Sequence, residues 1–282
     1  EAILDAGIAE VVHACDDPGE VSGGGADVLR ARGIPVRRSD ESPFASGLAA
    51  PFVKRVRTGR PWVIAKWAQT IDGRVATRTG ESKWISCDAS RRRVHMLRAR
   101  VDVMLTGIGT VLADDPMLTA RGVPLRRVAR RVVLDTRLEI PESAAIVRTA
   151  RDVPTTVICD SGIATAAIAA SRRAALESMG VEVLGSPGSL EGLDVGAALE
   201  LLVETHGVST VMVESGPRLV GSMLRDDLLD EAVIYVAPML LGDELAQSVA
   251  VGRVVESLSS GRRLRLWRSR RVDQDMELTY RR

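Results

Sequence analysis

The sequence predicts an α/β protein built on a mainly parallel sheet with helices on both faces. Three observations predict it. From Trp62 onward, short apolar runs of strand length alternate with amphipathic segments of helix length, the pattern of parallel strands joined by crossover helices. Two of those strands run straight into glycine-bearing turns that open helices. The last two strands have no helix between them, which predicts antiparallel pairing at one edge.

Taken in order, residues 1 to 38 read as two short helix–strand units. Ala2 to Ala6 is helical and Ala9 to Ala14 a strand; a glycine turn at Gly23 to Gly25 leads to helix Ala26 to Arg32 and strand Ile34 to Val36. Two such units cannot enclose a core alone. From Asp40 a short helix carries Phe44, Leu48, Phe52 and Val53, and the basic, turn-prone run from Lys54 to Pro61 places a domain boundary near residue 58. Then follow strand Trp62 to Ala68, helix Asp88 to Arg100 capped by Asp88, strand Val101 to Leu105, and strands Arg131 to Leu134 and Thr155 to Cys159. Helices at Ala164 to Met179 and Val195 to His206 precede strand Thr210 to Val213, helix Pro217 to Leu224 and strand Glu231 to Val236. Strands near Leu264 to Trp267 and Met276 to Tyr280 close the chain.

Composition narrows the function. The 282 residues carry 38 Lys+Arg against 37 Asp+Glu, a balance that gives no excess for nucleic acid. Cys15, Cys87 and Cys159 are odd in number and far apart, so they form neither a disulfide framework nor a metal knuckle. No run reaches the roughly 18 apolar residues of a membrane span. These features predict a soluble cytoplasmic protein with no membrane or nucleic-acid partner. The opening inside a helix, without methionine, predicts a true N-terminus upstream of Glu1. His13, His95 and His206 are scattered without a metal-ligand spacing, and each reads as structural or solvent-facing.

The cations are nearly all arginine; Lys54, Lys66 and Lys83 are the lysines. Lys66 shares a strand face with Trp62, Ile64 and Ala68, where an ammonium meets an anion or ligand, or else snorkels from an edge strand. The run Thr106-Gly-Ile-Gly-Thr110 lets backbone N–H groups approach an anion, or is a tight turn without one; Leu112 rules out the dinucleotide fingerprint. The second loop, Val213-Glu-Ser-Gly-Pro-Arg-Leu-Val-Gly-Ser222, has serine where a Walker A loop needs lysine. Its Pro217 suits a first helical position, and Glu214 lies at a strand's carboxyl end, where open α/β sheets bind ligands. Two phosphate-friendly loops on one sheet point to a ligand with more than one phosphate.

Thr70-Ile-Asp-Gly-Arg74, Gly80-Glu-Ser-Lys-Trp-Ile-Ser86, Thr110-Val-Leu-Ala-Asp-Asp-Pro-Met-Leu-Thr-Ala-Arg121, Val213-Glu-Ser-Gly-Pro-Arg-Leu219 and Tyr235-Val-Ala-Pro-Met-Leu-Leu-Gly242 occur in this order. Together they resemble the reductase domain of the bifunctional riboflavin-biosynthesis deaminase/reductase (RibD) family, from about residue 59 to the end. The resemblance implies a dihydrofolate-reductase-like fold, NADPH as cofactor, a homodimer, and reduction of 5-amino-6-(5-phosphoribosylamino)uracil to its ribityl form. By position it implies cofactor contacts at Ala68, Trp84, Thr110, Asp114, Thr136 and the loop Gly216, Pro217, Arg218, Leu219, Val220, Gly221 and Ser222. Substrate contacts are implied at Ser82, Arg98, Leu118, Arg121 and Glu214, with Arg98 and Arg121 on the 5′-phosphate, and Lys66 facing the ribose or stabilising developing charge.

Residues 1–58 resemble the last part of the family's cytidine-deaminase-like domain, and residues 59–282 its reductase domain. The H-A-E and P-C-x-x-C zinc motifs are missing from this sequence, so no zinc and no deamination are expected of it. The alternatives are reduction of the diaminopyrimidinone phosphate before deamination, or a nucleotide-binding protein without catalysis.

Overall fold

The computed structural model describes all residues except 20–22, 40–42, 190–191 and 254. The chain opens with α1 (Ala2–Asp5), β1 (Val11–His13), α2 (Gly25–Ala31) and β2 (Val36–Arg38). β1 and β2 pair in parallel as a separate two-stranded sheet, Val12 opposite Arg37. Neither helix buries a residue, which fits two units too small to enclose a core. The second strand starts later than expected because Pro35 has no N–H for a ladder; its carbonyl accepts from Val11 instead.

α3 (Pro43–Thr58) corrects the reading of Lys54 to Pro61 as a turn-prone linker. The helix runs on to Thr58, whose hydroxyl bonds back to the Lys54 carbonyl at 2.8 Å, and Gly59 at φ 68° ends it. The expected start at Asp40 lies outside the described residues. Lys54 is not a linker residue either: it donates to buried Asp230 at 2.5 Å, and the same carboxylate takes the Val63 N–H at 2.8 Å. This pairing bolts α3 to the large sheet.

The chain continues through β3 (Trp62–Gln69), β4 (Arg74–Ala76), α4 (Asp88–Arg98), β5 (Val103–Gly107), α5 (Ile108–Asp114), β6 (Arg130–Leu134), α6 (Ala145–Arg148), β7 (Thr155–Asp160), α7 (Ser161–Thr165), α8 (Ala170–Ser178) and β8 (Val181–Ser186). A small hairpin, β9 (Gly188–Ser189) and β10 (Gly192–Leu193), leads to α9 (Val195–His206), β11 (Thr210–Val213), α10 (Pro217–Arg225) and β12 (Glu231–Val236). β13 (Gln247–Ser248), which pairs with β4, precedes the closing strands β14 (Arg265–Val272) and β15 (Asp275–Arg281).

Nine strands form the large sheet in the order β14-β15-β12-β3-β11-β5-β6-β7-β8. From β12 to β8 every pairing is parallel, while β15 runs antiparallel to both its neighbours, so the closing strands pair at one edge as expected. Strand alternation sorts the core into two layers. Ile64, Met104, Val133, Val157 and Met212 meet Val94 of α4, Val111 of α5 and Leu176 of α8 on one face. Val63, Ala65, Leu105, Val132 and Val211 meet Leu199 and Leu202 of α9 and Met223 of α10 on the other.

Two local expectations fail, and one strand was not expected. The helix expected over Ala164 to Met179 breaks at Ala166, which is extended, and resumes as α8 at Ala170. Cys87, not Asp88, is the N-cap of α4, and Asp88 sits in its first turn. β8 was not anticipated, since Val181-Glu-Val-Leu-Gly-Ser186 is a polar-edged run that pairs only with β7. Among the described residues, no helix is long and apolar enough to cross a membrane.

Candidate active site

The site grows from a difference in strand length. Val213, the last residue of β11, pairs with Ala65, yet β3 runs on to Gln69. The sheet therefore has a notch above β11, entered by Glu214, Ser215 and Gly216. Alternation sends Lys66 of β3 and Glu214 to the α4 face, the side of Ile64 and Met212. There Lys66 Nζ lies 3.4 Å from Glu214 Oε2. Arg98, from the last turn of α4, grips both Glu214 oxygens, at 2.7 and 2.9 Å.

All three side chains are some 15% exposed: 15% for Lys66 and Glu214, 14% for Arg98. Burial pushes the Glu214 carboxyl up, but the charges of Lys66 and Arg98 outweigh it and hold the pKa down at about 2. Glu214 is thus a fixed anion between two cations, with one net positive charge left for a ligand. Lys66 was expected to meet an anion or a ligand, and here it meets the anion. The bidentate edge of Arg98, expected on a phosphate, is taken by Glu214; its Nη1 also donates to the Thr119 carbonyl at 3.1 Å.

Beyond this cluster, residues 117–121 are held by three side chains. Buried Arg131 donates to the Met117 carbonyl at 3.4 Å, Arg98 to that of Thr119, and the Arg121 N–H donates to His95 Nδ1 at 3.2 Å. Leu118 is buried in this segment at φ 50°, a left-handed backbone rare for leucine. Arg121 is exposed and its guanidinium reaches Thr119 Oγ1 at 3.4 Å. Leu118 and Arg121 therefore sit beside the Lys66, Arg98 and Glu214 cluster.

The two glycine loops lie side by side, because β11 and β5 are neighbours. Ser215 Oγ accepts the Gly107 N–H at 3.1 Å and lies 3.4 Å from Thr110 Oγ1, which accepts the Gly216 N–H at 3.1 Å. α10 begins after Gly216 without a side-chain cap and with Pro217 in its first turn. The N–H groups that follow Pro217 have no acceptor within the helix, and they form a positive end suited to a phosphate. Gly221 is required here: a Cβ would lie 1.8 Å from the Val251 carbonyl, where residues 250–252 cross the helix. The donor set at the start of α10 thus fits a phosphate group, with Thr110 and Ser215 fixing the turn that leads to it.

The remaining positions lie around this edge. Ala68 is further along β3 and packs on the core, paired in register with Tyr235. Trp84 is 67% exposed with Arg91 stacked 4.5 Å from its ring, and Ser82 is half-buried in the same loop. Lys83 ties that loop to Asp114 at 3.8 Å. Thr136 lies at the end of β6, two strands from β11, where its hydroxyl packs against Gly192. The turn Thr70 to Arg74 locks onto the segment after β12, since Asp72 accepts N–H groups from Leu241 and Gly242.

Two site residues escaped the sequence reading. Ser215 lay inside a quoted motif and could have been found as the polar residue ending a strand. His95 had no local signal, because its partner lies 26 residues away.

Comparison with known proteins agrees with this architecture. Residues 61–278 match the family model described as the RibD C-terminal domain. The riboflavin biosynthesis protein RibD of Aquifex aeolicus is 36% identical over 260 residues, covering 92% of this chain and 69% of that protein. A crystal form of Acinetobacter baumannii RibD superposes with a TM-score of 0.80 at 31% identity, covering 99% of this chain and 74% of that one. A Thermotoga maritima protein described as a diaminohydroxyphosphoribosylaminopyrimidine deaminase/5-amino-6-(5-phosphoribosylamino)uracil reductase superposes at 0.78 with 27% identity, covering 99% and 73%. With these matches, the notched parallel sheet and the motifs that line its edge, the chain belongs to the RibD C-terminal domain family.

Proposed function

We propose that the chain is a riboflavin-biosynthesis reductase that uses NADPH to convert 5-amino-6-(5-phosphoribosylamino)uracil to 5-amino-6-(5-phosphoribitylamino)uracil. The observation that carries this reading is the Lys66, Arg98 and Glu214 cluster in the β11 notch, directly beside the paired glycine loops. Bound at this edge, NADPH would supply the hydride that the sugar C1′ of the ring-opened imine takes up, while a proton goes to the nitrogen. The start of α10 and Thr110 would hold the dinucleotide phosphates, with Trp84 and Asp114 as further contacts.

The Lys66 ammonium stands against the Glu214 carboxylate, and this cation steadies the negative charge that develops on the nitrogen as the imine is reduced. Glu214, ionised down to a pH of about 2, prevents Lys66 and Arg98 from repelling each other and fixes both. Arg121 and the free donors of Arg98 meet the 5′-phosphate, and Ser82 and Leu118 line the pyrimidine. Holding both reactants in this notch supplies much of the rate as effective molarity. Residues 1–58 are read as the end of a deaminase-like domain, and the assembly as a homodimer, which light scattering tests.

The test is NADPH oxidation followed at its absorbance band with two substrates, the aminouracil and the diaminopyrimidinone phosphate. The reading expects turnover with the aminouracil. Turnover with the diaminopyrimidinone alone replaces the substrate assignment. Tight NADPH binding with no oxidation by either compound leaves a nucleotide-binding protein.

A further inference from the structure

The Arg121 N–H is a donor and nothing else, so the His95 Nδ1 that it reaches at 3.2 Å must be unprotonated. The ring is therefore neutral, with its proton on Nε2. This bond joins the last turn of α4 to the segment that carries Arg121, 26 residues on. On the same segment Arg98 binds the Thr119 carbonyl at 3.1 Å, one helical turn further along α4. α4 thus grips the segment twice, through a cation on a carbonyl and a neutral imidazole on an amide.

We propose that His95 is a positioning residue for substrate: as a neutral acceptor it latches the Arg121 backbone, and so sets Arg121 where it meets the 5′-phosphomonoester. The inference rests on the function proposed above, and it adds a group that the sequence reading had set aside as structural or solvent-facing. Protonating the ring converts the acceptor at Nδ1 into a donor facing a donor, and the latch opens.

The surroundings keep the ring neutral. Partial burial lowers its pKa below the usual histidine value, and the positive charges of Arg98 and Arg121 lower it further. The Thr119 carbonyl and the Glu214 carboxylate pull the other way without reversing the shift. A depressed histidine pKa means that the latch is intact above the unfolded value of about 6.5 and opens as pH falls through the lower folded value.

The test pairs steady-state kinetics with ¹⁵N NMR of the histidine ring and the Arg121 amide. His95→Ala should raise KM for the aminouracil phosphate about 10-fold, the scale of one hydrogen bond, while kcat and KM for NADPH change by less than about two-fold. His95→Asn carries a carbonyl oxygen close to the Nδ1 position and does not titrate. It should restore KM and remove the part of the acid-side rise in KM that the substrate phosphate does not itself cause. An unchanged substrate KM in His95→Ala, an equal rise in both KM values, or an acid-side profile shared by wild type and His95→Asn would overturn the proposal. If no NADPH is oxidised by any variant, the functional reading fails, and the NMR still decides the latch. An Arg121 amide that moves with the His95 titration supports it, and one indifferent to that titration removes it.

Discussion

Arg131 and Arg98 are drawn into the same face of one sheet and are held in opposite ways. Arg131, fully buried on β6, hydrogen-bonds to neutral oxygens, the Thr155 and Thr149 hydroxyls and the carbonyls of Met117, Ile146, Thr149 and Val153, with the Asp152 charge acting on it without a hydrogen bond among those described. Burial lowers its pKa to about 10, so it stays charged at neutral pH. Arg98 meets a carboxylate that it shares with Lys66, and although burial pulls its pKa down, Glu214 raises it overall. The first arginine has its hydrogen-bonding capacity spent on the fold. The second belongs to a cluster that keeps one net positive charge at the end of β11, the surplus that the proposed ligand-binding role needs and an internal brace does not.

Arg131→Leu should sharpen the contrast most. It strips partners from several buried carbonyls and should cost about 4 kcal/mol in denaturant unfolding, with kcat of the remaining folded enzyme unchanged. A variant as stable as wild type would mean that water replaces the guanidinium, and that Arg131 is no brace.

Glu214→Gln should cost about 3 kcal/mol, because Lys66 and Arg98 then face each other without a counter-charge. The same carboxylate sets a pH dependence. Its folded pKa is depressed from 4.5 to about 2, so its contribution is full above 4.5 and is lost as pH falls towards 2. Acid unfolding of Glu214→Gln should lack that portion of the transition, and an acid limb identical to wild type would contradict the charge assignment.

Gly221→Ala probes the cofactor side at smaller cost. The added methyl must move either α10 or the Val251 carbonyl, which should destabilise by about 2 kcal/mol. KM for NADPH should rise more than KM for the pyrimidine, and the reverse pattern would detach this loop from cofactor binding.

Much of this arrangement was legible in the sequence, for a reason visible in particular residues. β11, β12 and α9 lie where periodicity placed them, since each is a buried, strongly patterned run bounded by turn or cap residues. The odd lysine in an apolar strand and the glutamate at a strand end marked two corners of the cluster. What stayed hidden depends on contacts distant in sequence. Glu214 lies 116 residues from Arg98 and 148 from Lys66, and Asp230 lies 176 from Lys54, so local pattern could not show that these charges pair. His95, read as structural or solvent-facing, does hold structure, and its partner on the Arg121 backbone, 26 residues away, is likewise beyond the reach of local pattern.

As the proposed reacting centre, the cluster in the β11 notch must lose turnover when Lys66 loses its charge. The most direct measurement is the rate of NADPH consumption by Lys66→Met and wild type, both saturated with NADPH and the aminouracil phosphate, alongside their melting temperatures. Arg98 still holds Glu214 in the variant, so stability should be nearly unchanged while turnover falls about 100-fold, the scale of one lost electrostatic or proton-handling group. Equal turnover in the two proteins would contradict the account and move the chemistry away from Lys66.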